Sequence, residues 1–212
     1  MAGVFLSFEG IDGSGKSTQA RLLAEALRAR GLTVTLTREP GGSAGAEEIR
    51  RLVLEGAADR WSTETELLLF TAARRDHLEK TIRPALARGE VVICDRFADS
   101  SRIYQGLTRG DLRATVDALH SLMIGVEPDL TFLIDIDPSL GLRRAIARAG
   151  SEMRFEGMGL EVQTRARNGF LALAARHPAR FRVIDGHRTE AEVAAEVQAI
   201  AHDWLAQQRQ KA

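Results

Sequence analysis

Residues 10–17 carry the clearest chemical signal in this chain. Their types and spacing match the glycine-rich loop that binds phosphate groups, the P-loop. They are Gly10, Ile11, Asp12, Gly13, Ser14, Gly15, Lys16 and Ser17. The glycines leave backbone N–H groups free to converge on phosphate oxygens, and we expect Lys16 to reach the β- and γ-phosphates and the Ser17 hydroxyl to ligate Mg²⁺. The pattern predicts a nucleoside triphosphate site from Gly10 to Thr18.

The flanking residues supply the strand and the helix that this loop requires. Residues 4–8 are a short apolar run suited to a buried strand, and apolar residues recur at helical spacing from Leu22 to Leu27. The helix N-terminus adds the positive end of its dipole to the phosphate site. A glycine-rich turn that merely precedes a helix would explain the loop alone. The strand, loop and helix together indicate a nucleotide-binding site.

A second polar pair follows another apolar run. Residues 91–94 lead directly into Asp95 and Arg96. A carboxylate at the end of a buried strand can act on Mg²⁺ beside a triphosphate, directly or through water. Arg96 then presents a planar two-pronged donor suited to a second phosphate. Taken alone, the two residues fit a capped strand end or surface pair equally well. With the P-loop, they favour phosphoryl transfer.

Apolar runs separated by helical patterns define the expected fold. The runs are residues 4–8, 33–37, 91–94, 130–134 and 181–184. Most are continuously apolar, which is typical of parallel strands covered on both faces. A helical segment at 63–90 is interrupted near Pro84, and Thr189 with Glu192 forms a capping box before the last helix. We predict one α/β domain over 1–212, with a doubly wound five-stranded parallel sheet and ligands at the carboxyl ends of the strands.

Composition narrows the function classes. The chain has 212 residues, with 29 acidic and 29 basic side chains, so no overall field draws it to nucleic acid or to an anionic membrane. The single cysteine, Cys94, excludes an internal disulfide and fits a reducing compartment. No stretch approaches the roughly 18 apolar residues of a membrane span, and the N-terminus lacks a signal peptide. We expect a cytoplasmic protein with no membrane or nucleic-acid partner.

The P-loop alone leaves several enzyme classes open. GTPases of the Ras type read guanine through Asn-Lys-x-Asp, and neither Lys80 nor Lys211 stands in that pattern. Further along, the chain resembles the thymidylate kinase family, whose members transfer the γ-phosphate of ATP to dTMP. The resemblance covers roughly the first two thirds of the chain. It rests on the P-loop with Asp12, on Thr37-Arg38-Glu39-Pro40-Gly41-Gly42, on residues 69–75, on Asp95-Arg96-Phe97, on Ser100-Ser101, on Tyr104-Gln105-Gly106 and on Pro128-Asp129-Leu130.

The resemblance implies how the base of dTMP is recognised. Phe70 stacks on thymine, Arg74 donates to a base carbonyl, and Ser101 and Gln105 hydrogen-bond the base edge. Such polar recognition rejects a wrong base because a mismatch leaves buried donors or acceptors unpaired. Without the resemblance, core packing would be the better interpretation of Phe70 and a solvated helix face that of Arg74.

The resemblance also implies how the rest of dTMP is held. Tyr104 packs near the sugar 2′ carbon and disfavours a ribose, and Asp12 holds the 3′-hydroxyl. Arg50 and Arg96 clamp the acceptor phosphate. Glu39 lies nearby and organises Mg²⁺, water or Arg96. Turn chemistry before a proline is the simpler interpretation of Glu39 alone.

Catalysis by such a kinase requires positive charge at the transferring phosphoryl group and no protein base. Some members of the family carry an arginine in the P-loop, at the position of Gly13; others place arginines in a lid. The glycine-rich stretch at about 148–160 predicts a lid, and the resemblance implies that Arg148 and Arg154 are its catalytic arginines. Lys16, Asp95 and Arg96 complete the catalytic set, ATP and Mg²⁺ are the implied cofactors, and the family resemblance suggests a homodimer.

Three other functions compete with this interpretation. A P-loop kinase for another nucleoside monophosphate or a deoxynucleoside differs only in its acceptor. A sensor that binds ATP and a deoxynucleotide without turnover is disfavoured by the complete set of Lys16, Ser17 and Asp95. A nucleic-acid-dependent ATPase is disfavoured by the balanced charge.

The lid assignment predicts the effect of one substitution. Arg154→Ala should lower kcat by orders of magnitude and leave the affinity for dTMP nearly unchanged, because this arginine acts on the transferring phosphoryl group. Steady-state kinetics with dTMP as the varied substrate measures both quantities. Near-normal turnover of the variant would rule out the assignment.

Overall fold

The computed structural model describes residues 3–57, 59–108, 111–148 and 159–211. Its five strands form one parallel sheet in the order β2-β3-β1-β4-β5, which confirms the predicted fold. The strands are β1 (Val4–Glu9), β2 (Val34–Arg38), β3 (Val91–Asp95), β4 (Leu130–Asp135) and β5 (Phe181–Asp185). Each strand ends on a charged residue, one position beyond the predicted apolar run. The carboxyl edge of the sheet is therefore lined by ionisable groups.

Helices cover both faces of the sheet. Two π-helical turns, at Leu78–Ile82 and Tyr104–Thr108, continue the helices that precede them. The α-helices are α1 (Lys16–Ala29), α2 (Ala44–Leu54), α3 (Thr63–His77), α4 (Arg83–Ala87), α5 (Ala98–Ile103), α6 (Arg113–Met123), α7 (Pro138–Arg148), α8 (Leu160–Arg176) and α9 (Glu190–Lys211). No helix in these ranges is both long and apolar enough to cross a membrane.

The alternation of side chains along β1 divides the core into two layers. Leu6 and Phe8 face one side, where they pack in a cluster with Leu23 of α1 and Val197 of α9. Phe5 faces the other side and packs in a cluster that includes the π-helical turn after α3, represented by Leu78, and Ala85 of α4. Because successive side chains point to opposite faces, Glu9 lies on the same face as Phe5.

Two local features show how well the sequence marks its helix ends. The backbone N–H of Thr189 donates to Glu192 Oε2 at 2.9 Å, and the N–H of Glu192 donates to Thr189 Oγ1 at 3.3 Å, so the capping box is confirmed. The break near Pro84 takes the form of the π-helical turn Leu78–Ile82, with Pro84 in the first turn of α4. Proline is tolerated there because its missing N–H needs no partner.

One P-loop glycine is required by a close approach between two backbones. Gly13 has φ +75°, and a Cβ there would lie 2.0 Å from the carbonyl oxygen of Gly141 in α7. A Cβ on Gly15, with φ +98°, would meet no heavy atom within 4 Å. The P-loop is therefore packed on α7 at Gly13 and is open at Gly15.

This difference predicts unequal costs for two alanine substitutions. Gly15→Ala should lower the free energy of unfolding by about 1–2 kcal/mol, from the left-handed backbone alone. Gly13→Ala adds a clash with backbone and should cost about 3 kcal/mol or more. Urea denaturation of both variants gives the comparison, and equal losses would contradict the packing of Gly13 on Gly141.

Candidate active site

A cavity of about 730 Å³ lies at the carboxyl edge of the sheet. Its walls come from the P-loop, the start of α1, the ends of β2 and β3, and helices α2, α3 and α5. This is the edge where ligands bind in open α/β sheets. The cavity is large enough for a small polar molecule beside a polyphosphate.

The P-loop contributes a buried cation to this cavity. The Lys16 ammonium donates to the backbone oxygen of Ile11 at 2.8 Å. Burial, reinforced by the positive charge of Arg96, lowers the pKa of Lys16 to about 8. A phosphate in the cavity would oppose both effects, since a nearby anion favours the charged ammonium.

Ser17 and Asp95 meet across the junction of α1 and β3. The Ser17 hydroxyl donates to Asp95 Oδ2. Within the described chain, Asp95 Oδ1 is buried and has no hydrogen-bond partner. A buried carboxylate oxygen without a donor is costly unless a ligand completes it, and oxygen ligands suit Mg²⁺. The pair therefore fits a magnesium site.

Arg96 is held in an unusual backbone conformation directly beside the P-loop. Its φ of +71° is the one positive value among the described non-glycine residues. Its guanidinium donates to the Gly10 carbonyl at 3.2 Å and to Ser100 Oγ at 3.0 Å, and it pairs with Asp12. Burial alone would raise the pKa of Asp12, but Arg96 and Lys16 outweigh it and lower that pKa.

Glu9 fixes the turn that carries Arg96. Its fully buried carboxylate accepts from the backbone N–H of Phe97 at 2.8 Å and of Ser100 at 3.2 Å, and from Ser100 Oγ at 2.7 Å. Desolvation, followed by the negative charge of Asp99, raises the pKa of Glu9 to about 7. Positive-φ arginine is strained by about 1–3 kcal/mol, and these bonds offset that strain.

The opposite wall carries a second polar group of side chains. Arg74 Nε donates to Glu39 Oε2 at 2.7 Å, and Arg74 Nη2 donates to Ser101 Oγ at 3.1 Å. Gln105 Nε2 donates to Glu66 Oε1 at 2.8 Å, so a buried carboxylate orients that amide. Fixed donors and acceptors of this kind suit the edge of a planar polar ligand.

The structure brings most of the predicted site residues into this one cavity. Every residue assigned to dTMP lines it: Asp12, Glu39, Arg50, Phe70, Arg74, Arg96, Ser101, Tyr104 and Gln105. Gly13, Gly15, Lys16, Ser17 and Asp95 line it as well, whereas Gly10, Ile11, Ser14 and Thr18 do not. Arg154 and the side chain of Arg148 lie outside the described residues, as does most of the predicted lid.

Comparison with known proteins gives this site a family. A sequence model described as thymidylate kinase matches residues 8–197. The chain belongs to the thymidylate kinase family. It is a phosphotransferase, and its substrates are nucleotides.

Individual thymidylate kinases are similar to this chain over nearly its whole length. The thymidylate kinase of Ruegeria pomeroyi is 72% identical over 92% of this chain and 92% of its own length. That of Dinoroseobacter shibae is 70% identical over 94% of this chain and 96% of its own length. The crystal structure of thymidylate kinase from Ehrlichia chaffeensis has 37% identity and a TM-score of 0.79, covering 95% of this chain and all of that one.

Several side chains that build the kinase site were not found from the sequence. Glu9 and Glu66 are buried carboxylates that orient other site residues. Gln163, in the first turn of α8, donates to Asp12 Oδ2 at 3.2 Å. His77 contacts Glu39. Glu9 could have been found because it is a charged residue directly after an apolar run. No local pattern in the sequence marks Gln163.

Of the three partners expected for Glu39, which were Mg²⁺, water or Arg96, the arginine is not among its contacts. Its carboxylate pairs with Arg74 at 2.7 Å and lies 3.1 Å from His77 Nδ1. Arg96 pairs instead with Asp12. Glu39 therefore belongs to the wall that carries Arg74.

The raised pKa of Glu9 predicts a pH-dependent stability. The folded chain binds this proton more tightly than the unfolded chain, whose glutamate pKa is near 4.5, so the contribution is fully present below 4.5 and is lost as pH rises through about 7. Between pH 5 and pH 8 the free energy of unfolding should fall by roughly 2–3 kcal/mol relative to Glu9→Gln. Urea denaturation of both proteins across this range measures the difference, and parallel profiles would contradict it.

Proposed function

We propose that this enzyme transfers the γ-phosphate of MgATP to dTMP, giving ADP and dTDP for dTTP biosynthesis. The observation that carries the proposal is that one cavity holds both the P-loop lysine and all the residues assigned to dTMP. A triphosphate donor and a nucleotide acceptor can thus face each other without water between them.

The wall that includes Arg74 suits the thymine base. Phe70 lines the cavity and is partly exposed there, as a stacking side chain requires. Arg74, Ser101 and Gln105 are buried and held by hydrogen bonds, so their remaining donors and acceptors are already oriented. Preorganised groups give selectivity because little free energy is lost in ordering them when the ligand binds.

The sugar and acceptor phosphate of dTMP lie between this wall and the P-loop. Asp12 would accept from the 3′-hydroxyl, and the Tyr104 ring, 5.4 Å from Arg96 Cζ, would close off the 2′ position. Arg96 would bind the phosphate together with Arg50, which donates to the Pro40 carbonyl at 2.6 Å. The guanidinium of Arg96 already contacts Gly10 and Asp12 of the P-loop.

The reaction itself needs position and charge. An oxygen of the acceptor phosphate attacks the γ-phosphorus, the bond to the β,γ-bridging oxygen breaks, and that oxygen leaves with ADP. No protein base is required because the attacking oxygen is already anionic. Lys16 and Arg96 neutralise developing charge from two sides. Arg148 and Arg154 are proposed to complete this set from the lid.

Mg²⁺ fits the pair formed by Ser17 and Asp95. The Ser17 hydroxyl and the unpartnered Asp95 Oδ1 would hold the ion directly or through water. When bound there, Mg²⁺ would withdraw negative charge from the polyphosphate.

The assembly and location are also proposals. Leu68 on α3 and Leu122 and Met123 on α6 are large exposed apolar residues. Arg75, two turns beyond Leu68, donates to the Met123 carbonyl at 2.6 Å, so these positions share one side of the molecule. This apolar side supports a homodimer, which sedimentation can test.

Cys94 is buried and forms no disulfide bond, which supports a location in the reducing environment of the cytoplasm.

A coupled assay for ADP tests the proposed reaction. The enzyme should turn over dTMP with MgATP far faster than the other common nucleoside monophosphates and deoxynucleosides. If another acceptor is preferred, the enzyme is still a kinase, but dTMP is not its substrate. Failure to form ADP with any acceptor would favour the sensor instead.

The base-binding role of Arg74 predicts a second kinetic effect. Arg74→Ala should raise the KM for dTMP roughly tenfold or more and weaken discrimination against other bases, because a buried donor is lost. Arg75→Ala is the matched control, since Arg75 does not line the cavity and pairs with Glu79. If Arg74→Ala behaves like this control, the role is wrong.

A further inference from the structure

We propose that His77 is a positioning residue for base recognition, acting through Glu39 on Arg74. The inference rests on the proposed function because it concerns the same base-binding wall. His77 is fully buried at the end of α3 and does not line the cavity. It cannot touch the acceptor, so any effect on selectivity must pass through other residues.

Hydrogen bonds connect His77 to Arg74 without a gap. His77 Nδ1 lies 3.1 Å from Glu39 Oε1, and the other oxygen of Glu39 accepts from Arg74 Nε at 2.7 Å. Arg74 then donates through Nη2 to Ser101 Oγ at 3.1 Å and to the Phe97 carbonyl at 3.2 Å. One carboxylate thus joins the imidazole to the guanidinium that lines the cavity and is proposed to bind the base.

The second ring nitrogen ties His77 to β2. Nε2 lies 2.7 Å from Thr37 Oγ1. Glu39 already accepts from Arg74 through one oxygen, its other oxygen can accept from Nδ1, and the Thr37 hydroxyl can donate to Nε2. With both nitrogens engaged, the ring cannot rotate without breaking a buried hydrogen bond.

The neighbouring backbone packs closely around the His77 ring. A Cβ on Gly42 would lie 2.4 Å from His77 Nε2 and 2.4 Å from Thr37 Oγ1, so the Gly42 backbone packs directly on the pair. On the other side, the π-helical turn Leu78–Ile82 begins at the next residue. Such turns often occur at functional sites, where they redirect a side chain.

Two amide substitutions test the two hydrogen bonds of the His77 ring separately. The side-chain nitrogen of asparagine is attached to Cγ, as Nδ1 is, so His77→Asn can still donate to Glu39. The amide of glutamine lies one bond further out, near the position of Nε2, so His77→Gln can retain Thr37 and loses Glu39. The pair differs mainly in the bond that leads to Arg74.

The experiment measures dTMP kinetics for both variants, with melting temperatures to compare their folding. His77→Gln should raise the KM for dTMP about tenfold and narrow the preference over other pyrimidine monophosphates, with a much smaller change in kcat. His77→Asn should recover most of this loss. Equal kinetics for the two variants, or a loss confined to kcat, would overturn the proposal.

A double-mutant cycle separates positioning from general damage. Because His77 acts through Arg74, His77→Gln should add little to the KM in an Arg74→Ala background. Additive effects would refute the connection, even if His77→Gln alone lowers stability. A wild-type enzyme inactive on dTMP would overturn the proposed function; an active enzyme in which only Arg74→Ala raises KM would overturn the role of His77 alone.

Discussion

The parallel pairing of β1 with β3 is the constraint on which the site depends. Phe8 stands opposite Asp95 in the register, and the backbone N–H of Arg96 donates to the Phe8 carbonyl at 2.9 Å. The P-loop leaves β1 at the same level where Asp95 and Arg96 leave β3. A shift of one residue would turn each side chain to the other face and separate these groups.

Charge balance is the second requirement at this edge. Lys16 and Glu9 are buried, and they meet Asp12, Asp95 and Arg96, which are partly buried around the cavity. An unpaired charge is costly in such a partly dehydrated cluster. Asp12 forms an ion pair with the Arg96 guanidinium, and Glu9 accepts a hydrogen bond from the backbone of the turn that carries Arg96. The acidic groups keep the cations in place before any phosphate arrives.

The sequence predicted the parts of this protein that local pattern determines. Strands follow from continuous apolar runs, and the last helix start follows from Thr189 and Glu192, because each signal lies within a few residues. The roles of Glu9 and His77 depend on partners 91 and 38 residues away, and no local pattern encodes those contacts. The dTMP set was predicted only because its motifs resemble a known family; periodicity alone would have placed Phe70 in the core.

The contact between Gly13 and Gly141 limits which residues position 13 can carry in this chain. A Cβ at position 13 would reach 2.0 Å from a backbone oxygen of α7, so an arginine there requires α7 to move. In this chain, a larger residue at position 13 therefore cannot be introduced by one substitution alone, because the backbone at Gly141 would have to shift with it.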